Sequence, residues 1–185
     1  MSWIQEIPPE QAEGKLAQVY AELQKQRGKV ANILQVHSLR PDALTAHLRL
    51  YMDLLFAPGG LSRKQREMIA VVVSRGNQCE YCVSHHAEAL SRYLSDPEAL
   101  RLLQSDYRQH ALPAADRALL DYAHKLTVTP SLIDEADIEG LRSLGFADAD
   151  ILLANLITAY FNFVNRIALG LGVAFTAEEL TGYQA

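Results

Sequence analysis

Apolar residues recur at helical spacing along almost the whole chain, and this periodicity is the strongest constraint on its fold. The first such pattern lies between the Pro8–Pro9 pair and Gly28, a residue well suited to end a helix. Its apolar positions fall on one helical face: Leu16, Val19, Tyr20 and Leu23. No run shows the strict alternation of a half-buried strand. The sequence therefore predicts an all-α fold, a bundle of about eight helices.

Breaking residues and capping signals divide the rest of the chain into further predicted helices. A helix that opens at Pro41 is broken by the Ala-Pro-Gly-Gly run over 57–60, which separates a front segment from the core. Later helices are predicted over 62–76, 77–93, 96–103, 113–127, 134–144 and 148–171.

Two consecutive helices near the middle of the chain carry the clearest capping signals. Ser62, with Gln65 three residues later, forms a capping box for a helix that should end at Gly76. Asn77, with Glu80 three residues later, should cap the next helix in the same way. These two helices are predicted to pack against each other.

Size and charge limit the classes of protein that fit. The chain has 185 residues, 49% of them hydrophobic and 21% charged, which suits one domain over 1–185 with its own core. We expect an N-terminal helical extension over 1–60 and a core over 61–175. The net charge is −5 and the basic residues are scattered, so nucleic acid is not an expected partner.

Neither end of the chain predicts a membrane protein. The opening run MSWIQEIPPEQAEGK lacks the basic start and apolar stretch of a signal peptide, so we expect a cytoplasmic protein. The apolar stretch 151–175 has the length of a membrane span but contains Asn155, Asn162, Asn165 and Arg166, which hydrocarbon would penalise. It is predicted to be a helix that is buried or covered by another subunit.

The chain has two cysteines, Cys79 and Cys82, at a spacing that suits a local redox pair or half of a metal site. On a helix they would share one face with His86. If Asn77 is the cap, Cys79 lies in the first turn, where unpaired N–H groups and the helix dipole favour a thiolate. The segment then supplies a nucleophile, a base and a second thiol that can resolve a sulfenic acid into a disulfide.

Two other interpretations of this segment stay open. Free cysteines and histidines are often simply core residues. Cys79, Cys82 and His86 are also three ligands of the type that zinc prefers, with His85 or a distant histidine as the fourth. Because no second cysteine pair or H-x-x-x-H motif follows, the redox interpretation is favoured and no bound metal is expected.

Glu67 comes directly before the apolar run 68–73, which is apolar all round and should be enclosed on every side. Glu67 is therefore predicted to lie at the edge of the interior, where desolvation would raise its pKa toward the working range of a general base. The alternative is a surface carboxylate.

The run LSRKQREMIAVVVSRGNQCEYCVSHH resembles the signature of the carboxymuconolactone decarboxylase and AhpD superfamily. In that signature a glutamate stands twelve residues before a C-x-x-C and a histidine four residues after it; Glu67, Cys79, Cys82 and His86 match those intervals. The segments RALLDYAHKLTVTP and AYFNFVNRIALGLG also resemble the peroxidase-related branch of the superfamily. The likeness covers nearly the whole chain and implies an AhpD-like domain.

The resemblance implies a thiol-dependent hydroperoxide reductase. In that activity Cys82 attacks the peroxide, Cys79 resolves the product, and His86 and Glu67 relay protons. The expected partners are a hydroperoxide substrate and an external dithiol reductant, such as a dihydrolipoyl group; no bound cofactor is expected. A homo-oligomer is also implied, and the apolar last helix is consistent with one.

One residue departs from the pattern of some AhpD proteins, which have a histidine between the cysteines where this chain has Tyr81. A tyrosine does not relay protons near neutral pH as an imidazole does. Two other functions fit the same resemblance. One is a lyase like the carboxymuconolactone decarboxylases, which do not depend on a cysteine pair, and the other is a non-catalytic redox sensor that uses the same disulfide.

Overall fold

The computed structural model describes residues 2–180, and these residues form helices joined by loops, with no strand in that range. The helices are α1 (Gly14–Arg27), α2 (Asn32–Gln35), α3 (Pro41–Phe56), α4 (Arg63–Gly76), α5 (Glu80–Ser91), α6 (Pro97–Asp106), α7 (Ala114–Val128), α8 (Glu135–Ser143), α9 (Asp148–Leu171) and α10 (Ala177–Leu180). Eight of these have nine residues or more. The predicted all-α fold of about eight helices is confirmed.

The chain divides into two compact units. One comprises Met1–Met52 and Arg166–Ala185, and the other comprises Asp53–Asn165. Glu67, the two cysteines and His86 all belong to the second unit. The predicted single domain, with its extension over 1–60 and core over 61–175, stays a prediction.

The first unit is built around a cluster of buried apolar side chains on amphipathic helices. Its α1 helix ends at Gly28, which adopts the left-handed conformation with φ 82°, as its position in the sequence predicts. The members of the cluster are Leu16, Tyr20, Leu23, Ala31, Leu34 and Leu44.

The second unit is centred on α4, whose residues 66–74 are all buried. This helix packs against α5, α6 and α7. Ser62 and Gln65 form the predicted capping box at its start. The helix ends at Gly76, as predicted, and a Cβ atom at Gly76 would lie 3.3 Å from Thr127 on α7. The absence of a side chain there permits the close approach of the two helices.

The long helix α9 is, among the described residues, the one helix that length and composition alone would allow to cross a membrane. Half of its most apolar window is buried inside the protein, as in the core helix of a globular domain. Its amides bond to other helices of the second unit: Asn155 donates to the Tyr122 hydroxyl at 2.8 Å and Asn162 to the Thr127 hydroxyl at 3.1 Å. Polar side chains on a buried helix are expected to form hydrogen bonds of this kind.

A buried arginine fixes the connection between α3 and α4. Arg66 is 4% exposed and donates to the backbone carbonyls of Leu54 and Leu61 at 3.0 Å and of Ala57 at 2.8 Å. Its guanidinium thus provides donors to carbonyls that lie beyond the regular hydrogen bonding of the two helices. The Arg66 side chain thus anchors the loop that leads into α4.

We predict that Arg66→Met destabilises the fold by about 2–4 kcal/mol, because the side-chain volume is largely kept while two buried carbonyls and the partly buried Ala57 carbonyl lose their donor. The free energy of unfolding in urea measures this change. Arg101→Met is the control, since Arg101 is exposed and pairs with Glu98 of the same helix; it should change the stability little. Equal stability of Arg66→Met and the wild type would contradict the anchoring role.

Candidate active site

The residues of the predicted site come from α4 and from the start of α5, and the structure brings them together. Glu67 lies in the second turn of α4 and His86 in the second turn of α5. Their side chains meet across the helix pair, with His86 Nδ1 2.7 Å from Glu67 Oε2. The predicted packing of the cysteine helix against the Glu67 helix is confirmed.

Glu67 has no exposed surface, so the alternative of a surface carboxylate is wrong. Its second oxygen accepts a hydrogen bond from Arg63 Nη2 at 2.5 Å. Arg63 is itself held by the Leu55 carbonyl at 2.7 Å and lies over the Phe56 ring, 3.7 Å from its centroid. The carboxylate therefore has a hydrogen-bond donor on each oxygen.

The predicted rise in the pKa of Glu67 is wrong. Burial alone raises the pKa, but His86 and Arg63 outweigh it through charge and hydrogen bonding and bring the pKa below its ordinary value. The carboxyl group is thus ionised at neutral pH. It can then only accept hydrogen bonds, which makes it an orienting group for His86 and a poor proton carrier.

The ionised Glu67 decides the tautomer of His86. Because the carboxylate accepts from Nδ1, the neutral imidazole carries its proton on Nδ1 and presents an unprotonated Nε2 on the opposite side of the ring. The ring also packs edge-on against Phe161, with centroids 4.5 Å apart. His86 is therefore a positioned base whose accepting nitrogen faces away from Glu67.

The start of α5 differs from the prediction that Asn77 caps this helix. Asn77 ends α4, and its side chain donates to Asn162 and Asn165 on α9, each at 2.9 Å. Gln78 then takes a left-handed conformation with φ 58°, and Cys79 occupies the N-cap position of α5. The connection between the two helices is therefore longer than predicted, because Asn77 and Gln78 lie between Gly76 and the Cys79 cap.

Cys79 and Cys82 are free thiols with 1% and 2% of their surface exposed. The Cys82 thiol donates a hydrogen bond to the Cys79 sulfur and so lowers the pKa of Cys79 to about 7; burial opposes this shift, and the backbone N–H of Cys82 adds to it. The same bond, burial and the charge of Cys79 raise the pKa of Cys82 well above its ordinary value. The pair thus holds one shared proton near neutral pH.

The lowered pKa of Cys79 was expected from the helix dipole, and its direction is confirmed. The main cause, however, is the hydrogen bond from Cys82, a contact between two side chains that lie one helical turn apart.

His85 and Tyr81 form a separate pair beside the thiols. His85 Nδ1 lies 2.7 Å from the Tyr81 carbonyl oxygen, and the two rings stack with centroids 4.1 Å apart. His85 is thus turned along its own helix while His86 faces Glu67, because adjacent residues of a helix point about 100° apart. Within residues 2–180, no three His, Cys, Asp or Glu side chains are grouped as a metal site would require.

Two residues of the site were not among the predicted ones. Arg63 is four residues before Glu67, a helical spacing that predicts an ion pair and was readable from the sequence. Asn165, which donates to the Cys82 sulfur, lies 83 residues further along the chain, and its sequence context shows a mostly apolar helix with no link to the thiols. Helix packing alone brings it to the thiols.

Comparison with known proteins gives matches along most of the chain. Residues 41–125 match the Carboxymuconolactone decarboxylase family. A solved peroxidase-related protein from Silicibacter sp. TM1040 is 35% identical, with 96% of this chain and 91% of that chain covered and a TM-score of 0.83. The alkylhydroperoxidase AhpD core protein from Ralstonia eutropha JMP134 is 32% identical, with 97% and 94% covered and a TM-score of 0.88.

Sestrin-2 of Homo sapiens is 27% identical over 173 residues, which are 92% of this chain and 35% of Sestrin-2. The chain therefore spans about a third of the length of the curated relatives it matches.

We predict that the thiolate of Cys79 forms with a midpoint near pH 7 and that Cys82→Ala moves this midpoint up toward the ordinary value of about 9. Cys82→Ser is the matched control: its hydroxyl can still donate to Cys79, so the midpoint should stay closer to that of the wild type. The ultraviolet absorbance of the thiolate, followed over pH, measures all three. An unchanged midpoint in Cys82→Ala would show that Cys82 does not set the acidity of Cys79.

The ionised Glu67 also predicts how stability depends on pH. Because the folded pKa lies below the unfolded value of 4.5, the unfolded chain binds more protons between the two values. The stabilisation is complete above the unfolded pKa and is lost as the pH falls through the folded pKa. The difference in free energy of unfolding between the wild type and Glu67→Gln should therefore shrink as the pH falls from neutral through the unfolded pKa of 4.5 and on through the folded pKa. A difference that stays constant over this range would contradict a lowered pKa.

Proposed function

Because the chain belongs to the carboxymuconolactone decarboxylase and AhpD-like family, we propose that it is a thiol-dependent hydroperoxide reductase. Membership rests on the matches to peroxidase-related proteins at 35% and 32% identity over most of both chains. The same matches establish the AhpD-like fold. In the proposed reaction a hydroperoxide is reduced to an alcohol and water while two thiols become a disulfide.

One observation carries the proposal: two free thiols share a proton at the start of α5, and His86, which a buried carboxylate orients, follows Cys82 by four residues on the same helix. A peroxide needs a thiolate as its attacking group and a proton donor for its leaving oxygen. The Cys79 and Cys82 pair supplies the thiolate near neutral pH. His86, held by Glu67 at 2.7 Å, supplies a group that can accept and return a proton.

In the first step His86, four residues after Cys82 on α5, takes up the proton that the two sulfurs share, and the Cys82 sulfur attacks the outer oxygen of the peroxide. The S–O bond forms as the O–O bond breaks, and the departing alkoxide takes the proton from His86. This leaves Cys82 as a sulfenic acid and releases one alcohol. We assign the attack to Cys82, as the family resemblance implies, and the thiolate of Cys79 stays available for the next step.

In the second step the Cys79 thiolate attacks the sulfur of the Cys82 sulfenic acid. The S–S bond forms, the S–O bond breaks, and the hydroxide leaves as water after it takes up one proton from solvent. An external dithiol then reduces the disulfide by thiol exchange and becomes a disulfide itself. The cysteines lie three residues apart at the start of a helix, so the bond closes within one turn.

Glu67 and Arg63 act through His86 in this mechanism. Glu67 fixes the tautomer and the direction of the imidazole, and Arg63 keeps Glu67 ionised. A carboxylate that took up the proton itself would lose its bond to Arg63 and its hold on the ring. The predicted relay thus reduces to one proton carrier, His86, with two positioning residues behind it.

The partners follow from this chemistry and stay proposals. The reductant is a dithiol, with a dihydrolipoyl group as one candidate, and the cell compartment is the cytoplasm. A homo-oligomer is supported by Leu152, Leu156 and Phe163, which are 42–59% exposed on one face of α9.

We predict that one equivalent of an organic hydroperoxide removes two thiols from the reduced protein and lowers its mass by two hydrogens in a single turnover. Cys82→Ser should abolish the disulfide, and His86→Ala and Glu67→Gln should slow its formation by about 10²-fold or more, because proton transfer to the leaving oxygen is impaired. Free-thiol titration and intact mass over time measure the reaction.

Cys79→Ser is the informative control for the order of events, since it should stop at a sulfenic acid on Cys82 that a dimedone probe can trap. A rate no faster than that of a free thiol would contradict the peroxidase proposal. Peroxide reactivity without turnover by any dithiol would favour a redox sensor, and a decarboxylase activity that survives Cys82→Ser would favour a lyase.

A further inference from the structure

The Cys82 sulfur has a neutral hydrogen-bond donor that the sequence did not predict. The side-chain amide of Asn165 donates to this sulfur. Asn165 has no exposed surface, and neither does Ser74, whose hydroxyl accepts from the Asn165 amide nitrogen at 3.1 Å. A buried amide in contact with a reacting atom is a candidate for a role in the reaction.

The orientation of the Asn165 amide is fixed by its other contacts. Asn77 donates to the Asn165 oxygen at 2.9 Å, so that oxygen is an acceptor and the nitrogen lies on the other side. In this orientation the nitrogen donates to the Ser74 hydroxyl. A flipped amide would set the Asn165 nitrogen against the Asn77 nitrogen, a donor against a donor. The N–H groups therefore point at Ser74 and at the sulfur.

We propose that Asn165 is a catalytic residue of the proposed peroxidase, one that stabilises negative charge on the Cys82 sulfur through its side-chain N–H. The proposal rests on the proposed function and names a further residue for it. Its contribution is needed twice: when Cys82 gives up its proton and attacks the peroxide, and when a dithiol attacks Cys79 in the disulfide and Cys82 leaves as a thiolate.

A neutral donor suits this position better than a cation would. The thiols already share one negative charge, and the charged or titratable groups that act on them are each other, Glu80 and His85. A fixed cation at Cys82 would hold the charge there and leave Cys79 protonated and unable to resolve the sulfenic acid. An amide lowers the cost of charge on Cys82 without fixing it, so the proton can pass between the two sulfurs.

The test uses the Cys79→Ser background, in which Cys82 is the one cysteine of the chain. Thiolate formation is followed by ultraviolet absorbance over pH, which requires no peroxide. Adding Asn165→Ala should raise the pH midpoint of Cys82 by about one unit, a tenfold loss of thiolate at a fixed pH below the midpoint, because a hydrogen bond to a charged sulfur is lost. Asn165→Asp, which keeps the size and removes the donor, should raise it at least as far.

Asn155→Ala is the matched control, because Asn155 is an amide of the same helix that bonds to Tyr122 and not to a thiol; its midpoint should equal that of the background. Circular dichroism checks that each variant is folded, and Asn165→Asp gives the answer should the alanine variant unfold. An unchanged midpoint in the folded Asn165 variants would overturn the role of Asn165 while leaving the peroxidase proposal intact. A shifted midpoint in a protein without peroxide turnover would retain the Asn165 contact and overturn the peroxidase proposal.

Discussion

The carboxylate of Glu67 is buried in the second unit without contact to solvent, and the hydrogen-bond donors around it keep it ionised. Glu67 would cost several kcal/mol as an unpaired buried ion. Arg63 and His86 together remove that cost, and each belongs to a different part of the frame. Arg63 is tied to the end of α3 through the Leu55 carbonyl, and His86 belongs to α5. The Glu67 carboxylate therefore links α4 to α5 directly and to the end of α3 through Arg63.

The negative charge on the two thiols, in contrast to that on Glu67, is not fixed on one atom, because the two sulfurs share a proton. The pair is stabilised by its own internal hydrogen bond and by the neutral amide of Asn165. Glu67 is thus a fixed charge that orients a base, whereas the charge on the sulfurs can be redistributed at little cost. The redox cycle uses both kinds of group. The Glu67 carboxylate stays ionised and keeps the base in place, whereas the sulfurs gain and lose protons at each step.

The sequence predicted local features well and contacts between distant segments poorly. The capping box at Ser62, the stop at Gly28 and the spacing of Glu67 with the cysteines were readable because each depends on neighbours along the chain. The role of Asn77 was predicted wrongly, since its side chain bonds to α9. The pKa of Glu67 was also predicted wrongly, because burial was foreseen and the compensating pair of donors was not.

Both sulfurs lie almost entirely beneath the surface, with 1% and 2% of the cysteines exposed. Abundant bystander thiols can reach the pair only when the neighbouring helices part, so accidental mixed disulfides form slowly. The same enclosure delays a second peroxide from oxidising the sulfenic acid before the neighbouring thiol closes on it, since that neighbour is already inside. The enclosure of the pair thus favours the reaction between the two cysteines over reactions with external thiols or a second peroxide. A variant with a less tightly packed fold would lose this selectivity even if all the catalytic groups were still present.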